Sequence, residues 1–240
     1  MRNISITIVY DNNPYKAGLK TAWGFSCLVK VIEKTILFDT GGDGFLLLRN
    51  MKSLTIDPTE ISLIFLSHIH NDHVGGLWNI IENNNKVTVC VPKSFPESFK
   101  NEVKGHGIKI IEIQRPVKIC DNVYSTGELG VLIKEQSLII HTYEGLILIT
   151  GCAHPGIVNI VNKAKDIFKE DIFLLLGGFH LSGKSKDELE KIVYSLKKAG
   201  VRNVGPCHCS GDAARAVFKE KYQMNYINVG VGQIIDIRYR

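Results

Sequence analysis

A mixed α/β (α+β) fold is predicted by three observations: β-branched, apolar segments recur along the chain, amphipathic helical stretches alternate with many of them, and this order of elements is met twice. "SITIVY", "WGFSCLVKVI" and "TILFDTG" read as opening strands. "ISLIFLSH" reads as a strand feeding a helix, because Val74, Leu77, Trp78 and Ile81 recur at i, i+3, i+4 and i+7. "KVTVCVP" and "IKIIEI" are strands on either side of a helix over 94–104. A second strand-rich half starts near Lys118 with "KICDNVYSTG", "SLIIHTY" and "LILITGC". Pro155 is expected to open a helix that carries Ile157, Val161, Ala164 and Phe168 on one stripe. "IFLLLGG" is a buried strand by length and composition. Ser185 and Glu188 form a capping box ahead of Leu189, Ile192, Val193 and Leu196, and Gly200 stops that helix. A last helix is expected over 211–222, followed by strands "YINVG" and "QIIDIRY". No Pro/Ser-rich linker separates independent parts, so a single domain over 1–240 is expected, with halves at about 1–117 and 118–240.

Composition narrows the function. With 240 residues, 45% of them hydrophobic and 22% charged, the chain can bury a large core. A net charge of +5 with scattered basic residues is too weak to mark a nucleic-acid partner. No apolar run approaches a membrane span, and the N-terminal segment lacks the features of a secretory signal, so a cytoplasmic location is expected. The six cysteines (27, 90, 120, 152, 207 and 209) form no CxxC pair and are expected to be thiols.

Chemistry concentrates in "LSHIHNDHVGGL". His68, His70, Asp72 and His73 fall within six positions directly after an apolar strand, although the chain has only eight histidines. On extended backbone His68 and His70 point to the same side and can offer ring nitrogens to one cation. Asp72 and His73 lie where strand gives way to helix and are aimed at a neighbouring point. His154 in "TGCAHPG", His180 in "LGGFHL" and His208 in "GPCHCSG" each follow an apolar strand and are candidates to complete the sites, since loops at one edge of a sheet converge. His106 and His141 lack such surroundings. "GVGQ" near residue 230 lacks the third glycine and the helix of a dinucleotide loop.

"HIHNDH" resembles the HxHxDH signature of the metallo-β-lactamase superfamily, and "FDTGG" resembles that family's first conserved segment. "TGCAHPG", "GGFH" and "CHCSG" are similar to the subgroup of dihydropterin ribofuranosyl-aminobenzene phosphate synthase-like proteins. The resemblance implies a four-layer αββα sandwich with a dinuclear site. Carried over residue by residue, it implies that His68, His70 and His154 hold one metal, that Asp72, His73 and His208 hold the other, and that Asp39 hydrogen-bonds a ligand and fixes its tautomer. The pattern departs where the family places a bridging Asp. Either Cys152 stands there as a thiolate, or His180 supplies a ligand.

The resemblance implies two divalent ions, zinc first with iron or manganese as alternatives, acting on a small-molecule substrate. The leading expectation is hydrolysis of a phosphoester, ester, lactone or thioester by metal-bound hydroxide, with Asp72 orienting the nucleophile and His180 acting as ligand or substrate hydrogen-bond donor. The segments "GGDGF" and "NNPYKAGLKTAWG" are candidate substrate loops. Two competitors stand beside it. His208, Cys209 and Arg215 have the H-C-x5-R spacing of a cysteine-dependent phosphatase. Cys152, Cys207 and Cys209 lie close in sequence to expected ligands, as an iron-loaded redox protein would require.

Overall fold

The computed structural model describes residues 2–32 and 34–239. Packing divides the chain into two compact units, 1–114 with 230–240, and 115–229. The first is built on β1 (Arg2–Tyr10), β2 (Ser26–Lys30), β3 (Thr35–Phe38), β4 (Leu63–Phe65), β5 (Thr88–Pro92) and β6 (Lys109–Ile113). The second holds β7 (Val117–Cys120), β8 (Val123–Ser125), β9 (Leu138–Thr142), β10 (Gly145–Thr150), β11 (Ile172–Gly178) and β12 (Val201–Cys207), after which β13 (Ile234–Tyr239) returns to the first.

The first sheet runs β13-β1-β2-β3-β4-β5-β6, antiparallel as far as β3 and parallel from β3 onward. The parallel register sets Phe38 opposite Phe65, so the chain leaves β3 and β4 at the same level. Helices α1 (Gly44–Ser53), α2 (Asn71–Val74), α3 (Leu77–Asn83) and α4 (Glu97–Gly105) belong to this unit, and Leu47, Met51, Leu77, Ile80 and Val103 bury their side chains with Leu37, Ile64 and Val89 of the strands.

The second sheet runs β12-β11-β10-β9-β8-β7, with β10, β11 and β12 parallel. Thr150 lies opposite Gly177, and Gly178 opposite Cys207. Its helices are α5 (Ile157–Phe168), α6 (Lys186–Lys198) and α7 (Asp212–Tyr222). Ile160, Val161, Leu189, Val193 and Phe218 pack with Leu148, Leu175 and Val204. The Ser185–Glu188 capping box forms: Ser185 N donates to the Glu188 carboxylate at 2.9 Å, and Glu188 N donates back to Ser185 Oγ at 3.4 Å.

Four expectations are corrected. The single helix through Val74 and Ile81 is two, α2 and α3, broken at Gly75–Gly76. A Cβ on those glycines would lie 2.5 Å from Gly42 O and 2.3 Å from Thr40 O, so the break lets two loops touch through backbone. Helix α5 starts at Ile157 rather than Pro155, because Gly156 at φ +91° is still turning. "YINVG" is no strand but a single bridge between Tyr226 and Val204. "GGDGF" is not all loop, since Asp43 caps α1 by accepting from Phe45 N at 2.9 Å and Leu46 N at 3.1 Å.

Candidate metal centre

In the first unit the level ends of β3 and β4 bring Asp39 against the HxHxDH loop. Asp39 is fully buried in left-handed backbone at φ 53°, and its N–H donates to Phe65 O at 2.9 Å. One carboxylate oxygen accepts from Ser67 N at 2.7 Å. The other accepts from Ser67 Oγ at 2.7 Å and pairs with His73 Nδ1 at 2.7 Å. Ser67 Oγ has one proton, which goes to Asp39, so its 2.9 Å contact with His68 Nδ1 is a bond donated by the imidazole. Both rings therefore carry their proton on Nδ1 and present Nε2 as a lone pair, the arrangement that outer carboxylates impose on metal-binding histidines. Ser67 was not singled out in the sequence, although it sits inside the motif.

His68 Nε2 lies 3.2 Å from His70 Nδ1. Two imidazole nitrogens so close must share a proton or a cation, because two lone pairs would repel. His73 Nε2 lies 3.6 Å from a carboxylate oxygen of the part-exposed Asp72, while His68 and His73 are fully buried. Thr40 holds the loop from behind, donating to His73 O from its N–H at 2.7 Å and from its hydroxyl at 3.0 Å. Burial, and after it the charge of Asp39, pushes the Cys27 thiol well above its usual value.

In the second unit the three parallel strands each deliver a side chain two residues past their ends: Cys152 after β10, His180 after β11 and Cys209 after β12. Their ligand atoms lie within 4.8 Å of one another. Each loop has a residue in left-handed backbone, Ala153 at φ 61°, His180 at 51° and His208 at 48°. Cys209 Sγ lies 3.6 Å from Cys152 O. Hydrogen bonding to Cys152 and then His180, with His208 nearby, brings the Cys209 thiol down to about 4 against the opposing effect of burial. The same contact with Cys209 raises His180. The rings of His154 and His180 lie 4.5 Å apart, and His208 is buried beside Gly178.

Glu135 is a second residue that sequence reasoning missed. Its buried carboxylate accepts from Cys152 N at 3.0 Å, Ala153 N at 2.9 Å and His154 N at 2.9 Å, capping the whole turn that carries Cys152 and His154. A pocket of about 300 Å³ opens beside His154 and His180, lined by Ile157, Val158, Leu181, Ile192 and Lys184 among others.

Other candidates fall away. The Arg215 guanidinium donates to Asn228 Oδ1 at 3.0 Å and Val229 O at 2.9 Å, so the phosphate cradle expected around Cys209 lacks its arginine. Cys207 is the last residue of β12 and lies outside the cysteine–histidine set. His141 pairs with Glu170 at 2.9 Å and stacks on Phe168, and His106 packs against Trp78.

The family model for the metallo-β-lactamase superfamily matches residues 24–160, from ahead of Asp39 to beyond His154. The chain belongs to this superfamily. A Methanocaldococcus jannaschii protein named 7,8-dihydropterin-6-methyl-4-(β-D-ribofuranosyl)-aminobenzene-5′-phosphate synthase is 30% identical to this chain over 97% of it and 96% of the relative. A solved metal-dependent hydrolase of the β-lactamase superfamily is 29% identical with a TM-score of 0.81, over 98% of this chain and 99% of that one. The metallo-β-lactamase fold protein YhfI of Bacillus subtilis matches at a TM-score of 0.72 and 14% identity over 98% of this chain and all of its own, a likeness of fold. Among the described residues no helix is long and apolar enough to cross a membrane.

Proposed function

We propose that this chain of the metallo-β-lactamase superfamily is a metal-dependent hydrolase. His68, His70 and His154 are assigned to one divalent ion, and Asp72, His73 and His208 to a second, zinc first with iron or manganese as alternatives. The observation that carries the reading is the Asp39–Ser67 network, which leaves Nε2 of His68 and His73 as lone pairs, the first beside His70 and the second beside the Asp72 carboxylate. Imidazole and carboxylate donors of fixed tautomer suit such ions. When bound, these ions acidify water to hydroxide at neutral pH and polarise the bond to be cleaved.

The chain's own groups do the rest. Asp39 keeps the proton of His73 on Nδ1 and offsets cationic charge from a buried position. Asp72, the part-exposed carboxylate of the loop, is assigned to orient the attacking water. The apolar lining from Ile157, Val158 and Ile192, with Lys184, suits an anionic small molecule that has an apolar or aromatic portion, which favours a phosphoester among the ester classes. A second reading has one support, the 30% identity to a named synthase: the same groups would pass the substrate fragment to an acceptor other than water. His180 has two roles open to it, a substrate hydrogen bond or a cation ligand, and its cysteine neighbours favour the second.

The test is metal content by elemental analysis together with turnover on phosphoester, lactone and thioester panels. His68→Ala and Asp72→Ala are each expected to lose bound metal and hydrolysis together. Retention of both properties in both variants overturns the assignment, and turnover only with an added acceptor selects the synthase reading.

A further inference from the structure

We propose that Cys152, His180 and Cys209 form a cation site of their own, holding a thiophilic divalent ion of the zinc class through two sulfurs and one imidazole nitrogen. The proposal goes beyond the hydrolase reading and does not need it, since all three residues belong to the second unit.

Register is the first support. Because β10, β11 and β12 are parallel, with Gly178 opposite Cys207 and Thr150 opposite Gly177, their ends fall within one residue of level, and the three ligand atoms that follow come within 4.8 Å of one another. Two sulfurs and a ring nitrogen around one point form a donor set selective for soft and borderline ions, whereas calcium and magnesium require oxygen. Space is the second support. A Cβ at position 178 would lie 2.3 Å from Gly151 O and 2.8 Å from Cys209 Sγ, so glycine there is what lets the Cys209 sulfur sit between β10 and β11. Preorganisation is the third. Ala153 and His180 occupy left-handed backbone, and Glu135 holds the Cys152 turn through three amide bonds, so the ligands are set before any ion arrives. With three protein ligands the fourth tetrahedral position is open to water or substrate. On binding, each thiol gives its proton to solvent and its sulfur pair to the ion.

Cobalt(II) is the probe. Titrated into the metal-free full chain, it is expected to produce a thiolate-to-cobalt charge-transfer band, which Cys209→Ser abolishes with the loss of one equivalent of bound ion. Cys207→Ser, the thiol control, is expected to keep the band. His68→Ala/His73→Ala, which removes a ligand from each ion assigned to the histidine loop, is expected to keep it as well while losing both of those ions, which separates this proposal from the hydrolase reading. No band in the wild type overturns the proposal, as does a band that survives Cys209→Ser or disappears with Cys207→Ser or the histidine variant. Should Cys209→Ser not fold, wild-type alkylation decides: zinc is expected to protect Cys152 and Cys209 at least tenfold, read by peptide mass, and equal labelling with and without zinc overturns the site.

Discussion

In the first unit His68 and His73 are aimed by side chains, Ser67 and Asp39, which fix the ring protons by hydrogen bonds. In the second, Cys152, His180 and Cys209 are aimed mainly by backbone, through parallel strands that end within one residue of each other, left-handed residues and a glycine that leaves room for sulfur, with Glu135 bonded to backbone amides of the Cys152 turn rather than to a ligand side chain. The difference follows from the donors. An imidazole has two nitrogens and must be told which one carries its proton, whereas a thiolate needs only placement. Damage to the Asp39 carboxylate should therefore disarm the histidine loop, whereas the cysteine loops should respond to backbone changes and to loss of the Glu135 carboxylate that holds the Cys152 turn.

Asp39→Ala probes that contrast hardest. It strips the acceptor from Ser67 N, Ser67 Oγ and His73 Nδ1 at once, in a fully buried place, and should cost about 3–5 kcal/mol of stability. Chemical denaturation measures the loss, and bound metal should fall with it. A variant as stable as the wild type would break the comparison. Glu135→Ala should come next, at about 2–4 kcal/mol for three amide donors left buried. Amide hydrogen exchange should quicken at 152–154 and remain slow at 67–73.

Gly178→Ala should cost about 1–3 kcal/mol through overpacking against Gly151 O and Cys209 Sγ. It should perturb the cysteine set while leaving the tautomers of His68 and His73 intact, as read by ring-nitrogen NMR shifts. The smallest effect lies away from both loops. The Glu188 carboxyl is held below its usual value by the Ser185 N–H and then by the Ser185 side chain. A depressed folded-state value stabilises above the unfolded carboxylate range and is lost as pH falls through the folded value. The acid limb of unfolding should thus be slightly shallower in Glu188→Gln, and an unchanged limb would remove the capping box from the account.

Legibility followed locality. The histidine loop could be read because four ligand residues, three His and one Asp, crowd into six positions, and Asp39 because it lies in a recognisable segment. Ser67 and Glu135 could not. Ser67 acts through a hydroxyl proton that only the folded contact with Asp39 assigns, and Glu135 reaches a turn 17 residues downstream with no motif around it. The Ser185–Glu188 box was legible because capping is a local exchange of hydrogen bonds. The break between α2 and α3 was not, because its cause is the approach of Thr40 and Gly42 from another loop. Helix α1 had a readable signal in Asp43 followed by Phe45, Leu46 and Leu47.

The lining of the pocket beside His154 points to how this chain can change its chemistry over time. Val158 and Ile192 come from α5 and α6, elements whose half-buried side chains can be exchanged without moving any strand terminus. In the proposed hydrolase, preference for a new molecule is acquired on the helices while the groups at the strand ends keep their places, so that diversification and chemistry are written on separate parts of the backbone.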